Sequence, residues 1–299
     1  MSSFDFSAYI KANLTSTDHD VQILEGGFTN HTARITFRQE SVGDALQNSR
    51  KGDTKLKGDI PKDAKSIVLK HAPPYIAADP EQPMSVDRQL KEKIALQVLT
   101  ADSSIPQHWK IENLLVGHKR ANIRIPRFFW HDHDQHVLWI EDSGNMRTLS
   151  QVLLDDYGSA TASEKKARIG NIKKVASALG YFLEKLHHET AHLPQEFLNH
   201  LSSISGTGNI YDYLANMVFT NLKDNGIPDA TVLADYVRNK PDKVKDEGDA
   251  RCLGMVDFWP ESVLVAFTDD ISDIPECGLV DWEYFGPSNP ADELGMFGE

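Results

Sequence analysis

Val256-Asp257-Phe258-Trp259-Pro260-Glu261-Ser262-Val263-Leu264-Val265 and, further on, Gly278-Leu279-Val280-Asp281-Trp282-Glu283-Tyr284 decide how the rest of the chain is read. Each couples a short apolar strand to an acid. Asp257 lies in a loop ahead of the strand Val263 to Phe267, and an acidic turn then leads to the strand Gly278-Leu279-Val280, which ends at Asp281. Glu283 follows two residues later. A carboxylate in a loop just before a strand suits a general base, and one at a strand's end suits a hard cation.

Upstream the chain has two textures. Val21 to Leu24 and Thr32 to Phe37 flank Glu25-Gly26-Gly27-Phe28-Thr29-Asn30 and read as two strands joined by a glycine turn. The stretch from about Arg38 to Lys65, rich in Lys, Asp, Gly and Asn, cannot support a core and is expected to be a mobile loop. Ser66-Ile67-Val68-Leu69-Lys70 reads as a third strand ending in a lysine, stopped by Pro73-Pro74. Ser85 is placed to cap a helix whose Val86, Leu90, Ile94 and Val98 recur at helical spacing, with Ala95 and Leu99 widening the stripe. Arg127 to His131 and His136 to Ile140 make a hairpin around Asp132-His133-Asp134-Gln135. From Thr148 the pattern is helical: Leu149 to Tyr157, then a long amphipathic segment capped by Ser163 and running to about His192, with Pro194 at its end. The expected fold class is α+β, with a small, mostly antiparallel β lobe holding one helix over residues 1–142 and a helical lobe over 143–299.

With 40% apolar and 25% charged residues, the 299-residue chain can bury a proper core. No apolar run reaches the roughly 18 residues that a membrane span needs. Met1-Ser2-Ser3-Phe4-Asp5 lacks the basic-then-apolar signature of a secretory signal, so a cytoplasmic location is expected. Cys252 and Cys277 are too few for a disulfide framework and read as buried strand thiols. The formal charge of −13 opposes nonspecific nucleic-acid binding, and Arg50-Lys51 with Lys55 and Lys57 reads as a solvated loop.

Phosphoryl transfer from ATP requires a backbone turn over the phosphates, a lysine on them, an acid orienting that lysine, metal carboxylates and a base for the acceptor hydroxyl. The chain offers candidates in a workable order. Gly26 and Gly27 supply the turn, Lys70 the ammonium and Glu92 its partner from the next helix; Asp257 is the base, and Asp281 with Glu283 holds magnesium.

These residues carry a family resemblance. Leu24-Glu25-Gly26-Gly27-Phe28-Thr29-Asn30 resembles the glycine loop, with its trailing Asn30, of the aminoglycoside phosphotransferase, choline kinase and methylthioribose kinase group. Glu92-Lys93-Ile94-Ala95-Leu96-Gln97-Val98-Leu99 resembles that group's E-A-x-A-L-x-x-L helix. Lys70-His71-Ala72-Pro73-Pro74-Tyr75-Ile76 and Met84-Ser85-Val86-Asp87-Arg88 are similar to methylthioribose kinases. Leu138-Trp139-Ile140-Glu141-Asp142 resembles the hinge that reads adenine through backbone groups, Val256 to Val265 the catalytic loop, and Val280 to Tyr284 the D-W-E metal motif. The resemblance spans roughly Leu24 to Phe297. It implies a bilobal protein-kinase-like fold, Mg-ATP, and a small-molecule acceptor whose hydroxyl is sugar-like or amino-alcohol-like.

The chain also departs from the pattern. Met255 stands where the group's loop has a bracing histidine. Ser262 stands where most relatives have a metal-binding asparagine, although methylthioribose kinases resemble this chain in having serine, so Ser262 joins the expected metal set. Glu293-Leu294-Gly295-Met296-Phe297 resembles the start of the following helix, and the group's further C-terminal helices are expected to be missing. A truncated nucleotide-binding pseudoenzyme without turnover is therefore the alternative reading. A remote one is a zinc metallohydrolase, because His188-Glu189-Thr190-Ala191-His192 fits H-E-x-x-H. Against it, the helix's apolar stripe of Leu179, Phe182, Leu183 and Leu186 excludes His188, and Gln195 and Leu198 occupy the metzincin positions. Ser205-Gly206-Thr207-Gly208-Asn209 looks like a phosphate loop but follows no strand.

Overall fold

The computed structural model describes residues 4–14, 18–25, 27–38, 64–111, 114, 122–155, 158, 161–204, 208–239, 252–267 and 275–297. Gly26, most of the loop expected at 38–65, and Ser205 to Thr207 lie outside the described residues.

The elements run α1 (Phe6–Asn13), β1 (His19–Leu24), β2 (His31–Phe37), β3 (Ser66–His71), β4 (Tyr75–Ile76), β5 (Asp79–Pro83), α2 (Arg88–Leu99), β6 (Asn122–Arg124), β7 (Phe128–Asp132), β8 (Val137–Glu141) and β9 (Arg147–Thr148). Then follow α3 (Leu149–Leu153), α4 (Ala162–Thr190), α5 (Gln195–Ser203), α6 (Gly208–Asp224), α7 (Ala230–Arg238), β10 (Cys252–Gly254), β11 (Val263–Ala266), β12 (Glu276–Leu279), β13 (Gly286–Ser288) and α8 (Pro290–Phe297).

An antiparallel sheet of order β1-β2-β3-β8-β7 dominates the N-terminal half. Strand β3 buries Ile67 through Lys70 and β8 buries Val137 through Ile140, because both faces of these strands are covered. Ile67, Leu69, Val137 and Trp139 turn to one side, where Phe6, Tyr9 and Ile10 of α1 close over them. Val68, Leu138 and Ile140 turn to the other, against Ala95, Leu96 and Leu99 of α2. Period-two alternation thus sends Lys70, two residues on from Val68, to the α2 face. The short helix α1, absent from the sequence reading, is capped by Asp5, whose carboxylate accepts from Ala8 N at 2.9 Å. It is held by packing: each fully buried side chain of this size contributes about 1.5–3 kcal/mol. Tyr9 donates to Asp132 at 3.0 Å and accepts from the Trp139 indole at 3.1 Å.

The helix α2 begins later than expected and presents another face. Asp87 occupies the N-cap position, while Ser85 Oγ accepts from Asp87 N at 3.2 Å. The buried side chains of its first turns are Arg88, Gln89 and Glu92, whereas Leu90 and Ile94 are only half-buried. Burying a polar stripe is tolerable because each member has a partner.

The long helix α4 buries Val175, Ala178, Leu179, Phe182, Leu183 and Leu186, the stripe read from sequence. Its cap is Thr161 instead of Ser163. Glu164 lies three residues after Thr161, so the two form a reciprocal capping box that Ser163, followed by Lys166, cannot form. The second sheet has the order β6-β12-β11-β9, and β10 pairs with β13. Strand β6 precedes residue 142 yet lies parallel to β12, and one continuous core runs from Val68 through α4 to Leu279 and Trp282. Cys252 and Cys277 are buried thiols on β10 and β12. The chain is a mixed α+β protein. No helix among the described residues is long and apolar enough to cross a membrane.

Candidate active site

Five separate segments meet where β3, α2 and the end of β12 converge. Lys70 leaves β3 toward α2, and its Nζ lies 2.9 Å from Glu92 Oε1 and 2.6 Å from Asp281 Oδ1. Burial alone would lower the pKa of this ammonium; the carboxylates of Asp281, Glu92 and Glu283 outweigh it and raise the pKa, so Lys70 stays charged. Gln89, one turn before Glu92, donates to the Lys70 carbonyl at 2.6 Å and meets His131 Nε2 at 3.1 Å. Burial pushes His131 down to about 3, which keeps the imidazole neutral in this apolar layer.

The glycine turn sits above the lysine. A Cβ at Gly27 would lie 2.6 Å from the Asn30 carbonyl oxygen, so only glycine lets the turn close this tightly. Asn30 is buried and faces inward: its amide donates to Glu283 Oε2 at 2.6 Å and its Oδ1 accepts from Arg88 Nε at 3.1 Å. Thr29 Oγ1 donates to the other oxygen of Glu283. The structure therefore encloses Glu283 among Thr29, Asn30 and Arg88. Burial first, then the charge of Asp281, raises its pKa.

Arg88, with no exposed side-chain surface, was not singled out in the sequence. It donates to the carbonyls of Thr29 (3.0 Å), Pro73 (3.0 Å) and Ser85 (2.7 Å) and lies 3.5 Å from Glu283. One guanidinium thus ties the glycine turn, the β4–β5 hairpin and the segment after Asp281 together. The hairpin is anchored again by Ala77 N and Ala78 N, which donate to the Thr29 and Phe28 carbonyls at 3.3 and 3.0 Å. The Met84-Ser85-Val86-Asp87-Arg88 wording was the available clue.

Asp281 and the residue before Asp257 share a backbone peculiarity. Asp281 has φ +75° and Val256 φ +68°, both left-handed. That region is uncommon for any side chain and a true outlier for a β-branched one, costing on the order of 1–3 kcal/mol per residue. Asp257 is half-buried, and its carboxylate makes no hydrogen bond or ion pair among the described residues. Burial and then the negative charge of Asp281 push its pKa up to about 6. Met255 is wholly buried in the core. Ser262 Oγ is engaged locally, donating to the Trp259 carbonyl at 2.8 Å and accepting from Trp259 N at 3.2 Å. The two expected hinge carboxylates also have partners: Glu141 pairs with Arg127 at 2.8 Å, and Asp142 with Arg34 at 2.8 Å and Ser66 Oγ at 2.6 Å.

Carboxylates outnumber cations here, with Glu92, Asp257, Asp281 and Glu283 around Lys70 and Arg88. All are hard oxygen donors, and Asp281 is the most exposed of the three that lie against Lys70 and Arg88. No group of three or more His, Cys, Asp or Glu side chains placed to hold a metal occurs among the described residues. Magnesium needs only one or two carboxylates beside phosphate oxygens and water, so this donor set fits it. Catalytic zinc takes three protein ligands. The rings of His188 and His192 lie 5.5 Å apart at 89° on the exposed end of α4, while Thr190 between them is buried and accepts from Leu253 N at 2.9 Å.

Lys70 on the third strand of the antiparallel sheet is thus paired with Glu92 from the following helix and faces Asp281 at the end of a later strand. The chain is 27% identical over 290 residues to the 4-hydroxytryptamine kinase of Psilocybe cyanescens, covering 95% of this chain and 68% of that protein. It is 26% identical over 284 residues to the 4-hydroxytryptamine kinase of Psilocybe cubensis, covering 93% and 66%. The chain thus spans about two thirds of the length of these curated relatives. Among solved structures, the streptomycin–ATP–APH(2")-IIa ternary complex aligns over 98% of this chain and 75% of its own, at 13% identity and a TM-score of 0.42. No protein-family profile matches. By name the two curated relatives are kinases that act on a small molecule.

Proposed function

We propose that the chain is an ATP-dependent phosphotransferase that passes the γ-phosphate of ATP to a hydroxyl of a small molecule. The observation that carries this reading is Lys70, buried and held charged between Glu92 of α2 and Asp281 beyond β12. In this reading Lys70 binds the α- and β-phosphates, Glu92 keeps its ammonium aimed, and the turn at Gly27 covers the phosphates with backbone N–H groups. Asp281 would hold magnesium, which supplies charge neutralisation to the β- and γ-phosphate oxygens. Glu283 acts one layer back, fixing Thr29 and Asn30 of the turn. Asp257 orients the acceptor hydroxyl and takes its proton. A carboxyl raised to about 6 is ionised at neutral pH and more basic than an ordinary one, which suits a general base.

The acceptor side is apolar and aromatic. Ile76, Met84 and Tyr284 form a cluster to which Val256, the neighbour of Asp257, and Tyr213 of α6 are packed. The exposed ring of Phe28 lies 6.1 Å from Tyr213. Burial and the nearby carboxylate of Asp79 raise the Tyr213 phenol. Such a wall suits an acceptor with an apolar or aromatic body and a cationic group, in keeping with relatives named for hydroxytryptamine. The test is thermal stability with Mg-ATP, followed by phosphotransfer to a panel of hydroxylated aryl amines, amino alcohols and sugars. Occupancy at 100 times Kd adds about 2.7 kcal/mol. No shift at millimolar Mg-ATP in folded protein would reject the reading; a shift without turnover of any acceptor would leave a nucleotide-binding pseudoenzyme.

A further inference from the structure

We propose that Arg34 roofs the base of the bound nucleotide, laying the flat face of its guanidinium on the purine. The sheet register puts it there. Arg34 of β2 stands opposite Val68 of β3, and Thr32 stands opposite Lys70. Ala33 and Ile35 turn to the α1 side of the sheet, so Arg34 turns to the side of Val68 and Lys70. Two residues of strand, about 7 Å, separate the Arg34 row from the lysine. A nucleotide with its phosphates at Lys70 therefore brings its base under Arg34 when it extends toward the segment that follows β8. Arg34 reaches residues 142–145 of that segment from the sheet. From the opposite side comes Leu264 of β11, half-buried: a Cβ at Gly278 would lie 3.4 Å from both Leu264 Cβ and Ser143 Oγ. The two side chains bracket the cleft at the end where the segment closes it.

The partners of Arg34 decide what it can offer a ligand. A guanidinium has five N–H groups, all in one plane. Nε lies 2.8 Å from Asp142 Oδ2. One terminal nitrogen donates to Asp142 Oδ1 at 3.0 Å and to the Gly144 carbonyl at 2.6 Å. The other donates to Asn145 Oδ1 at 3.0 Å and to Gln22 Oε1 at 3.3 Å. Every edge is taken by the protein, yet the side chain keeps 15% exposure. A phosphate would need those N–H groups, so Arg34 is not a second phosphate ligand. Its face remains, the surface by which arginine stacks on an aromatic ring. The plane is set in advance, because Asp142 is itself held by Ser66 Oγ at 2.6 Å and Gly144 N at 2.9 Å. Stacking reads none of the base's edges. Arg34 thus adds affinity for the purine without choosing between adenine and guanine, and this rests on the nucleotide reading of Lys70.

The test compares native protein with Arg34→Lys and Arg34→Met by titration calorimetry. The probes are Mg-ATP, Mg-GTP and Mg-tripolyphosphate, the last carrying phosphates without a base. Arg34→Lys keeps a charge beside Asp142 but has no planar face. It should bind Mg-ATP and Mg-GTP roughly tenfold more weakly, both by the same factor, and Mg-tripolyphosphate within about twofold of native. Arg34→Met should lose at least as much; should it fail to fold for want of the Asp142 partner, Arg34→Lys still decides. Unchanged Mg-ATP affinity in Arg34→Lys overturns the stack, as does a loss confined to one purine. Equal weakening of Mg-ATP and Mg-tripolyphosphate also overturns it, because Arg34 would then act on the whole cleft. Native protein that binds none of the three rejects the phosphate site at Lys70 and the stack with it, whereas native binding with an unaltered lysine variant rejects the stack alone.

Discussion

The cleft at Lys70 and the last turn of α4 both gather acids and bases, yet they differ in what surrounds those groups. In the cleft, Lys70, Glu92, Arg88 and Glu283 are buried, and each is met by a partner from a remote segment. At the end of α4, His188, Glu189 and His192 lie within five residues and are exposed, while Thr190 between them engages the body of the protein. A motif written within five consecutive residues needs nothing from the fold to exist; for the same reason the fold need not support it. Convergence of distant residues in a low-dielectric site has an energetic cost that partnered charges must offset, and function is the usual ground for carrying it.

The comparison can be broken by four measurements. The largest effect is expected from Asp257→Asn, which keeps shape but loses charge: phosphotransfer should fall roughly a hundredfold to ten-thousandfold while the Mg-ATP thermal shift persists. His188→Ala should leave both alone. Full activity in Asp257→Asn would remove the base assignment. Next is Lys70→Met, which strands Glu92 without its cation. It should cost about 3–5 kcal/mol of stability and abolish the Mg-ATP shift, whereas exposed Glu189→Gln should stay within about 0.5 kcal/mol of native by denaturant unfolding.

A smaller effect sharpens the picture of Asp257 itself. Its folded pKa of about 6 lies above its ordinary value of 3.8, so between those pH values the folded protein binds the additional proton. Its contribution to stability is therefore lost as pH rises through that window, and above it the ionised carboxylate is a full penalty. In EDTA at pH 7, Asp257→Asn should be more stable by on the order of 1–3 kcal/mol, and the gain should vanish toward pH 4. A constant gain across pH would mean that burial and the charge of Asp281 do not raise the Asp257 carboxyl. Turnover in the native chain should correspondingly decline as pH drops through about 6. The smallest signal is elemental: no stoichiometric zinc is expected. One zinc per chain, lost in His188→Ala, would restore the end of α4 as a site.

Strand order along the chain, the glycine turn, the lysine closing β3 and the apolar stripe of α4 were legible because they depend on local periodicity and on residues with few backbone options. The acids Asp257 and Asp281 could be read as a pair for the same reason: each ends or precedes a short apolar run. Three features were not legible. The polar face of α2 was hidden because a hydrophobic stripe search assumes the buried face is apolar, and Arg88, Gln89 and Glu92 are buried by pairing instead. The inward turn of Asn30 and Glu283 depends on Arg88, whose partners lie on segments far apart in sequence. The left-handed backbone at Val256 and Asp281 has no local signature, since neither residue favours it; partners from remote segments meet it there, Glu293 at Val256 N and Lys70 at the Asp281 carboxylate. Sequence by itself determined which chemical groups the protein carries and where secondary structure starts, because those follow from side-chain type and spacing. Which carboxylate faces the cleft and which is locked behind it were decided only by tertiary structure, since burial and charge pairing depend on what distant segments bring into contact.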